Sequence, residues 1–442
     1  MKGSFRKIAA VFLALCALMF TSCEKPRSGA DALIAPPVLF REQEEIMRAL
    51  KNAAGENISL EYPRKGENRS AFLLSDLNLD GKNEVIAFYR PASEETAQDI
   101  IHINILESSE QGWSSLCDIV GEAAGIDRVS VGSFGGRREI IVGWELMRDR
   151  EKTLVCYSLL GKSPSRDYSA TYVEFSVADF WSENEGDELI TLNYSQTTEN
   201  LVQPTQHARL IALSDGAFKA VSSVPLDSRV TGYKSCIAGK YNSKSTAFFL
   251  DGVIDASGVN SQILTVNSQG QIQNPLLVGD KTDEINIHKS SLLTQDIDGD
   301  GILEVPHQEA VTGYEAVPES ERIYKTVWKQ FSANALKKSA VMYISTSLGI
   351  RVTIPRKLDG NVTIKPITAQ NELVFYEYEG SLEKSTKEIF SIRVSEKELY
   401  EQEDGYDVLK STDYTVVTVR ISDEDSELCP AWETLYKIVE II

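Results

Sequence analysis

The sequence is poor in residues and motifs that carry metal-dependent or nucleophilic catalysis. It has four histidines, at positions 102, 207, 288 and 307, and no two stand at the spacing of a metal-binding pair. The GxSxG elbow, the P-loop, the GxGxxG turn and the CxxC pair are all absent. The one SxxK match, at residues 381–384, lacks its companion motifs. We therefore predict structural or surface histidines, no catalytic residue and a protein that is not an enzyme.

Basic residues are also scarce, with 45 Lys and Arg against 65 Asp and Glu, which gives a net charge of -20. Residues 1–22 hold three of the basic residues and no acidic one, so the remainder of the chain stands at -20 - 3 = -23. Nucleic-acid binding requires clustered Lys and Arg. We therefore expect no nucleic-acid partner.

Cysteines are few, and only four of the six lie beyond residue 23: Cys117, Cys156, Cys236 and Cys429. They have no metal-ligand spacing and lie near apolar residues. We interpret them as small buried side chains. An oxidising compartment would permit disulfides, but the sequence predicts no particular pair.

The N-terminus has the pattern of a secretion signal. A basic start is followed by an apolar run at residues 8–20 and then by Thr21, Ser22 and Cys23. The run has thirteen residues, whereas spanning a bilayer core takes about 20. We predict a signal peptide over residues 1–22. An uncleaved membrane anchor is the alternative.

The residues from Phe20 to Cys23 resemble the lipobox of bacterial lipoproteins, with Phe20 in place of the usual Leu. The resemblance implies that the Cys23 thiol is lipidated, becomes the new N-terminus and holds the protein at the extracytoplasmic face of the cell membrane. Two or more lipid chains give stable anchoring. Residues 23–36 would then be a polar tether. The alternative is an ordinary cleaved signal in which Cys23 has no role.

Residues 39–54 are predicted to form a helix, and short β-type runs follow it. Five of these runs share one pattern, an apolar stretch, a polar turn and a second apolar stretch. The turns begin at residues 76, 133, 179, 240 and 296, with gaps of 57, 46, 61 and 56 residues. A period of about 55 residues suits a four-stranded propeller blade. We predict a mainly β protein with a β-propeller over residues 37–334.

The repeated units over roughly residues 57–310 resemble the FG-GAP and VCBS-type repeats of extracellular, integrin-like propellers. The stretch Val131–Gly136 resembles the motif that gives the FG-GAP repeat its name. The whole chain is similar to lipoproteins of Gram-positive anaerobes. The resemblance implies a propeller and a surface location, but no particular function.

Residues 335–442 contain further β-type runs without the turn pattern. We interpret them as a small C-terminal α+β domain. The alternative is that they supply the closing blades of the propeller.

Two of the five turns carry acidic residues at alternate positions. The predicted ligands are Asp76, Asn78, Asp80, Lys82 and Glu84 in the first loop, and Asp296, Asp298, Asp300, Ile302 and Glu304 in the last. Lys82 and Ile302 would contribute backbone carbonyls. Oxygen ligands on alternate residues of a tight loop can surround Ca²⁺. The alternative is a turn that binds no ion.

The sequence favours a membrane-anchored binding or assembly module with calcium-stabilised loops. Its partner would be an envelope protein or a surface ligand. The alternative is a surface hydrolase that acts on cell-wall glycan or peptide at the propeller axis. A third interpretation is an accessory lipoprotein of an envelope complex. The five tryptophans could form a sugar-stacking surface, although burial within the blades is the simpler explanation.

Overall fold

The computed structural model describes residues 41–92, 100–123, 125–145, 152–160, 163–194, 206–255, 258–282, 287–289 and 291–442. The predicted signal peptide, Cys23 and the tether lie outside these ranges. Within them are two α-helices, α1 (Arg41–Ala54) and α2 (Trp432–Ile438). Three 3-10 helices are also present, at Glu319–Glu321, Thr368–Gln370 and Lys397–Leu399. None of the described helices is both long and apolar enough to cross a membrane.

Three antiparallel sheets form the first half of the described chain. Sheet 1 contains β1 (Ile58–Leu60), β2 (Phe72–Ser75), β3 (Glu84–Pro91), β4 (His102–Ser109) and β5 (Gly112–Val120). Sheet 2 contains β6 (Gly125–Phe134), β7 (Arg137–Glu145), β8 (Lys152–Leu160) and β9 (Ser163–Tyr172). Sheet 3 contains β10 (Glu174–Ala178), β11 (Glu188–Tyr194), β12 (Gln206–Ser214) and β13 (Ala217–Pro225).

Three five-stranded sheets and one hairpin follow. Sheet 4 contains β14 (Gly232–Lys240), β15 (Thr246–Val253), β16 (Gly258–Val266), β17 (Ile272–Gln273) and β20 (Ile287–Lys289). The hairpin is β18 (Leu277–Val278) with β19 (Lys281–Thr282). Sheet 5 contains β21 (Glu304–Ala310), β22 (Tyr324–Ser332), β23 (Ala335–Ser345), β24 (Ile350–Thr353) and β30 (Val439–Ile441). Sheet 6 contains β25 (Val362–Ile367), β26 (Glu372–Glu377), β27 (Glu388–Glu396), β28 (Asp407–Ser411) and β29 (Thr415–Ile421).

Each sheet packs face to face on the next one along the chain. Strand β3 illustrates the cause of this packing: its side chains are apolar on both faces of the sheet, so both faces must be covered. Ile86 and Phe88 pack toward sheet 2, whereas Val85 and Ala87 pack against α1. Further apolar clusters join sheet 2 to 3, 3 to 4, 4 to 5, and 5 to 6. The helix predicted at 39–54 is confirmed from residue 41 onward, and it covers the free face of sheet 1.

The five predicted turns occupy one structural position. They join β2 to β3, β6 to β7, β10 to β11 and β14 to β15, and the last leads into β21. Backbone hydrogen bonds link neighbouring sheets at these turns, such as Asp187 N to Ser133 O at 2.6 Å and Leu303 N to Lys240 O at 2.9 Å. The predicted fold class is confirmed: the protein is a mainly β propeller, with a short helix near its C-terminus.

The boundary predicted at residue 335 lies inside sheet 5. Strand β23 pairs with β22 across a tight turn, and β30 joins the same sheet from the end of the chain. Sequence patterns missed this continuity because β23 lacks the turn motif used to mark the repeats. The division into a propeller and a separate C-terminal domain stays a prediction.

Candidate functional site

The loop from Asp296 to Glu304 brings three carboxylates together. Oxygens of Asp296, Asp298 and Glu304 lie within 4.8 Å of one another. The two aspartates are exposed, while Glu304 is fully buried at the start of β21. Because Ca²⁺ takes six to eight oxygen ligands, this group would supply part of a coordination shell.

Asp300, another predicted ligand of this loop, accepts hydrogen bonds from neighbouring residues. Asp300 accepts the backbone amide of Ile302 at 2.8 Å and the side-chain amide of Gln330 at 3.0 Å. The three-carboxylate group does not include Asp300. The predicted role of the Ile302 carbonyl stays a prediction.

Negative charge in this loop is only partly balanced. Glu304 accepts the Ile297 amide at 3.0 Å and Gln330 Nε2 at 2.7 Å. Burial, followed by the charges of Asp298 and Asp300, raises the pKa of Glu304. A cation beside these groups would offset that charge.

The loop from Asp76 to Glu84 has the same spacing but a different internal balance. The Asn78 amide donates to Asp80 Oδ2 at 3.3 Å and to Glu84 Oε1 at 3.0 Å. Asp76 accepts the amide of Asp80 at 3.1 Å, and Lys82 N donates to Asp80 Oδ1 at 2.8 Å. The Asn78 amide thus donates hydrogen bonds to two carboxylates of its loop. Asp298, at the same position of the other loop, has no such N–H group. We infer that a bound cation would stabilise the 76 loop less than the 296 loop.

In four of the five repeats a buried glutamate lies within the first three residues of the strand that follows the turn: Glu84, Glu139, Glu188 and Glu304, all 2% exposed or less. In three of them the carboxylate accepts an amide from the preceding turn: Leu77 at 2.8 Å, Phe180 at 2.9 Å and Ile297 at 3.0 Å. The glutamate therefore ties each turn to its sheet. Sequence reasoning missed this shared role, although the recurrence of Glu after the turn was a signal for it.

Glu139 lacks such amides. Arg137 Nε lies 2.8 Å from its Oε1 but is not aligned for a hydrogen bond, while Arg137 Nη2 lies 3.0 Å from Asp167. Burial and the neighbouring charge of Asp167 raise the pKa of Glu139 to about 8. Its protonated form donates to Asp167, which helps to lower the pKa of that aspartate.

A cavity of about 550 Å³ lies between the β1–β2 loop and the first strands of sheets 2, 3 and 4. Its lining comes from residues 65–69 of that loop and from parts of β6, β10 and β14. Strand β10 neighbours both β6 and β14. Because these are the strands on which the blades converge, the cavity lies on the propeller axis.

An ion-pair network crosses the cavity wall. Glu174 binds Arg128 from sheet 2 and accepts a hydrogen bond from Lys65 Nζ, in the β1–β2 loop, at 3.3 Å. Arg128 also donates to Phe175 O at 3.1 Å and to Asp127 at 3.3 Å. This network could not be predicted from the sequence, because its members are up to 109 positions apart.

Asp127 supports that network from behind. It is fully buried and accepts Lys152 Nζ at 2.7 Å and the Tyr172 hydroxyl at 2.9 Å. Burial alone would raise the pKa of Asp127, but the hydrogen bond and charge of Lys152 and the charge of Arg128 lower it. The Arg128 guanidinium is therefore held in a fixed position at the cavity wall.

The histidines have structural surroundings. His288 is buried, and its Nε2 lies 2.8 Å from Ser261 Oγ, which also contacts Asp251 at 2.5 Å. Serine stands between the other two groups, whereas a catalytic triad places histidine in the middle. His102 contacts Asp118 at 2.7 Å, and His307 is buried in sheet 5.

The cysteines and tryptophans are dispersed. All four cysteines of the described chain are free thiols. Trp144 and Trp328 are fully buried, so a single stacking surface made of all five tryptophans is wrong. Burial of blade aromatics explains these two.

No protein-family model matches the chain, and no curated protein matches it. Among solved structures, the chain is similar to a protein from Lactobacillus plantarum at 10% identity, covering 74% of this chain and 93% of that one, with a TM-score of 0.32. It is similar to Sqt1 of Chaetomium thermophilum at 12% identity, covering 83% and 82%, with a TM-score of 0.30. It is also similar to the exotype rhamnogalacturonan lyase YesX at 14% identity, covering 73% and 62%, with a TM-score of 0.29. These similarities are too low to indicate an activity or a ligand for this chain.

Proposed function

We propose that the protein is a membrane-anchored, extracytoplasmic binding or assembly module whose ligand or envelope partner engages the propeller axis. The axial cavity is the observation that carries this proposal. It is preformed, and its wall is fixed by the Arg128 and Glu174 network. Ligand sites of this size typically combine a rigid wall with a few placed polar groups.

Binding is better supported than hydrolysis. Glycan hydrolysis uses two carboxyl groups with different roles. Both oxygens of Glu174 already accept cationic donors, one from Arg128 and one from Lys65. Glu67 is the other acid of the lining and is exposed. The prediction that the protein is not an enzyme is kept on this basis.

Photo-crosslinking would test the binding proposal on intact cells. A photoreactive residue is placed at Glu67, an exposed position in the cavity lining. The control carries it at Val278, which is 77% exposed and outside the lining. We expect mass spectrometry to detect an adduct specific to position 67. Identical adducts at both positions, or none, would contradict the proposal.

We further propose that Ca²⁺ stabilises the propeller, chiefly at the 296 loop. A ligand at 100 times its Kd stabilises the folded state by about 2.7 kcal/mol. Adding Ca²⁺ to metal-free protein should therefore raise the melting temperature, and chelation should lower it. Asp298→Asn should remove most of the shift, whereas Asp413→Asn at an exposed turn should not. The absence of any calcium shift in the unmodified protein would refute this.

The membrane anchor is proposed at Cys23, in line with the lipobox resemblance. Residues 57–310 are proposed to be FG-GAP-like repeats, which occur in extracellular propellers. Growth with an alkyne-labelled fatty acid should label the protein, and Cys23→Ala should abolish the label and release the protein from the membrane fraction. Cys117→Ala is the control, since this thiol lies inside sheet 1. Labelling that survives Cys23→Ala would contradict the anchor.

A further inference from the structure

The axial cavity differs in charge from the rest of the molecule. Its lining includes four basic residues, Lys65, Arg69, Arg128 and Lys234, and two acidic ones, Glu67 and Glu174. The lining therefore has a surplus of 4 - 2 = 2 positive charges, whereas the whole chain has a net charge of -20. A cleft with a surplus of one sign of charge attracts a ligand of the opposite sign.

Two of these cations remain available to a ligand. Lys234 has no hydrogen bond or ion pair with any residue that the structure describes, and its side chain is exposed. Arg69 donates through Nε to Gly66 O at 3.1 Å, and its terminal nitrogens have no carboxylate partner in the described ranges. By contrast, Arg128 uses all three nitrogens within the wall. Lys234 and Arg69 are therefore the candidate ligand contacts, while Arg128 sets the shape.

Neutral donors accompany these cations. Ser130 of β6, Ser176 of β10 and Ser235 of β14 line the same cavity. Hydroxyl groups can donate to oxygen atoms that the cations do not reach. The cavity volume of about 550 Å³ is within the range of small-molecule sites, about 300–1,000 Å³.

We propose that the axial cavity binds a small molecule that carries at least two negative charges, as carboxylate or phosphate groups. This rests on the proposed binding function and names its ligand class. Two negative charges on the ligand would match the surplus of two positive charges in the lining and the two available cations, Lys234 and Arg69. Because Lys234 and Arg69 are exposed, the interaction should weaken with salt.

Isothermal titration of the full-length chain at low ionic strength would test the proposal. Succinate is the dicarboxylate probe, fructose 1,6-bisphosphate the phosphate probe and maltose the neutral probe. We expect at least one anion to bind. Lys234→Ala and Arg69→Ala should each weaken binding about tenfold, as expected for losing a hydrogen bond to a charged group. Lys234→Arg should retain most of the affinity.

Lys240→Ala is the matched control, because Lys240 is an exposed lysine on the same strand, β14, but outside the cavity lining. Its affinity should equal that of the unmodified protein. If neither anion binds, or if Lys240→Ala weakens binding as much as Lys234→Ala, the proposal is wrong. Preferential binding of maltose would also overturn it, yet would leave the binding function intact. Absence of the position-67 crosslink, in contrast, would contradict the binding function itself.

Discussion

Glu139 offers a sharp test of how this fold tolerates buried charge. The side chain is fully buried in sheet 2, and its oxygens have no aligned hydrogen-bond donor. We predict that Glu139→Gln stabilises the protein at high pH and has little effect at low pH. The side-chain N–H of glutamine can donate a hydrogen bond to Asp167, as the O–H of the protonated glutamate does.

The magnitude follows from the pKa. Burial and the charge of Asp167 raise the pKa of Glu139 from 4.5 to about 8 in the folded protein. A raised carboxyl pKa means that the folded state prefers the protonated form. Stability is therefore lost as the pH rises from about 4.5 through about 8, and the loss is complete above that. At about 1.4 kcal/mol per pKa unit, the full difference is up to about 5 kcal/mol, with about 3 kcal/mol reached at pH 7.

The assay is urea unfolding of both proteins between pH 5 and pH 9, with hydrogen exchange read from peptides of β7 and β8. Local exchange is needed because a chain of 442 residues need not unfold in two states. We expect the two proteins to agree at pH 5 and to diverge by several kcal/mol at pH 9. Glu110→Gln, at the exposed turn between β4 and β5, is the control and should show no pH-dependent difference.

A difference between Glu139→Gln and the unmodified protein that stays constant from pH 5 to pH 9 would refute this reasoning. It would mean that Glu139 does not titrate in this range. A destabilised variant at pH 9 would show instead that the carboxylate is held by Arg137, whose Nε lies 2.8 Å away.

Three further substitutions test contacts between neighbouring sheets and between α1 and sheet 1. Gly186→Ala should destabilise the protein by about 1–3 kcal/mol in chemical denaturation, because φ is +96° and the new Cβ would lie 2.2 Å from Ser133 O. Asp127→Asn should cost about 3–5 kcal/mol at neutral pH, because it leaves Lys152 without its carboxylate partner and Arg128 with one carboxylate instead of two. The pKa of Asp127 is lowered in the folded protein, so the stability it contributes is lost as the pH falls below the usual pKa of an aspartate. In chemical denaturation at such a pH, Asp127→Asn should therefore cost less. Leu50→Ala should cost about 2–5 kcal/mol and increase proteolysis of α1, since Leu50 is fully buried under sheet 1.

The features that could be predicted from the sequence are local ones. The turn at Asp296 is visible because spaced oxygens and a following apolar strand are encoded within nine residues. The same holds for the helix that begins at Arg41, whose apolar residues recur at helical spacing. Repetition of the turn then indicates a propeller, because each sheet needs a neighbour on either face.

The axial cavity could not be predicted in this way. Lys65, Glu174 and Lys234 come from the β1–β2 loop, β10 and β14, and each stands in an ordinary polar context in the sequence. Only the arrangement of the blades places them around one space. The extent of sheet 5 was missed for a related reason, since β30 reaches β24 from a position 89 residues away along the chain at the Arg351–Glu440 pair.

Turn length explains why the glutamate that follows the turn has different hydrogen bonds in different repeats. The loops that precede Glu84 and Glu304 are long enough to turn a backbone amide toward the carboxylate, at Leu77 and Ile297. In sheet 2 only two residues separate β6 from β7, and the strands pair up to the turn. Backbone amides that pair with the opposite strand cannot also donate to Glu139. With the shorter turn, Glu139 accepts no backbone amide, and its buried carboxyl group is most stable when protonated. This is the source of the pH dependence predicted for Glu139.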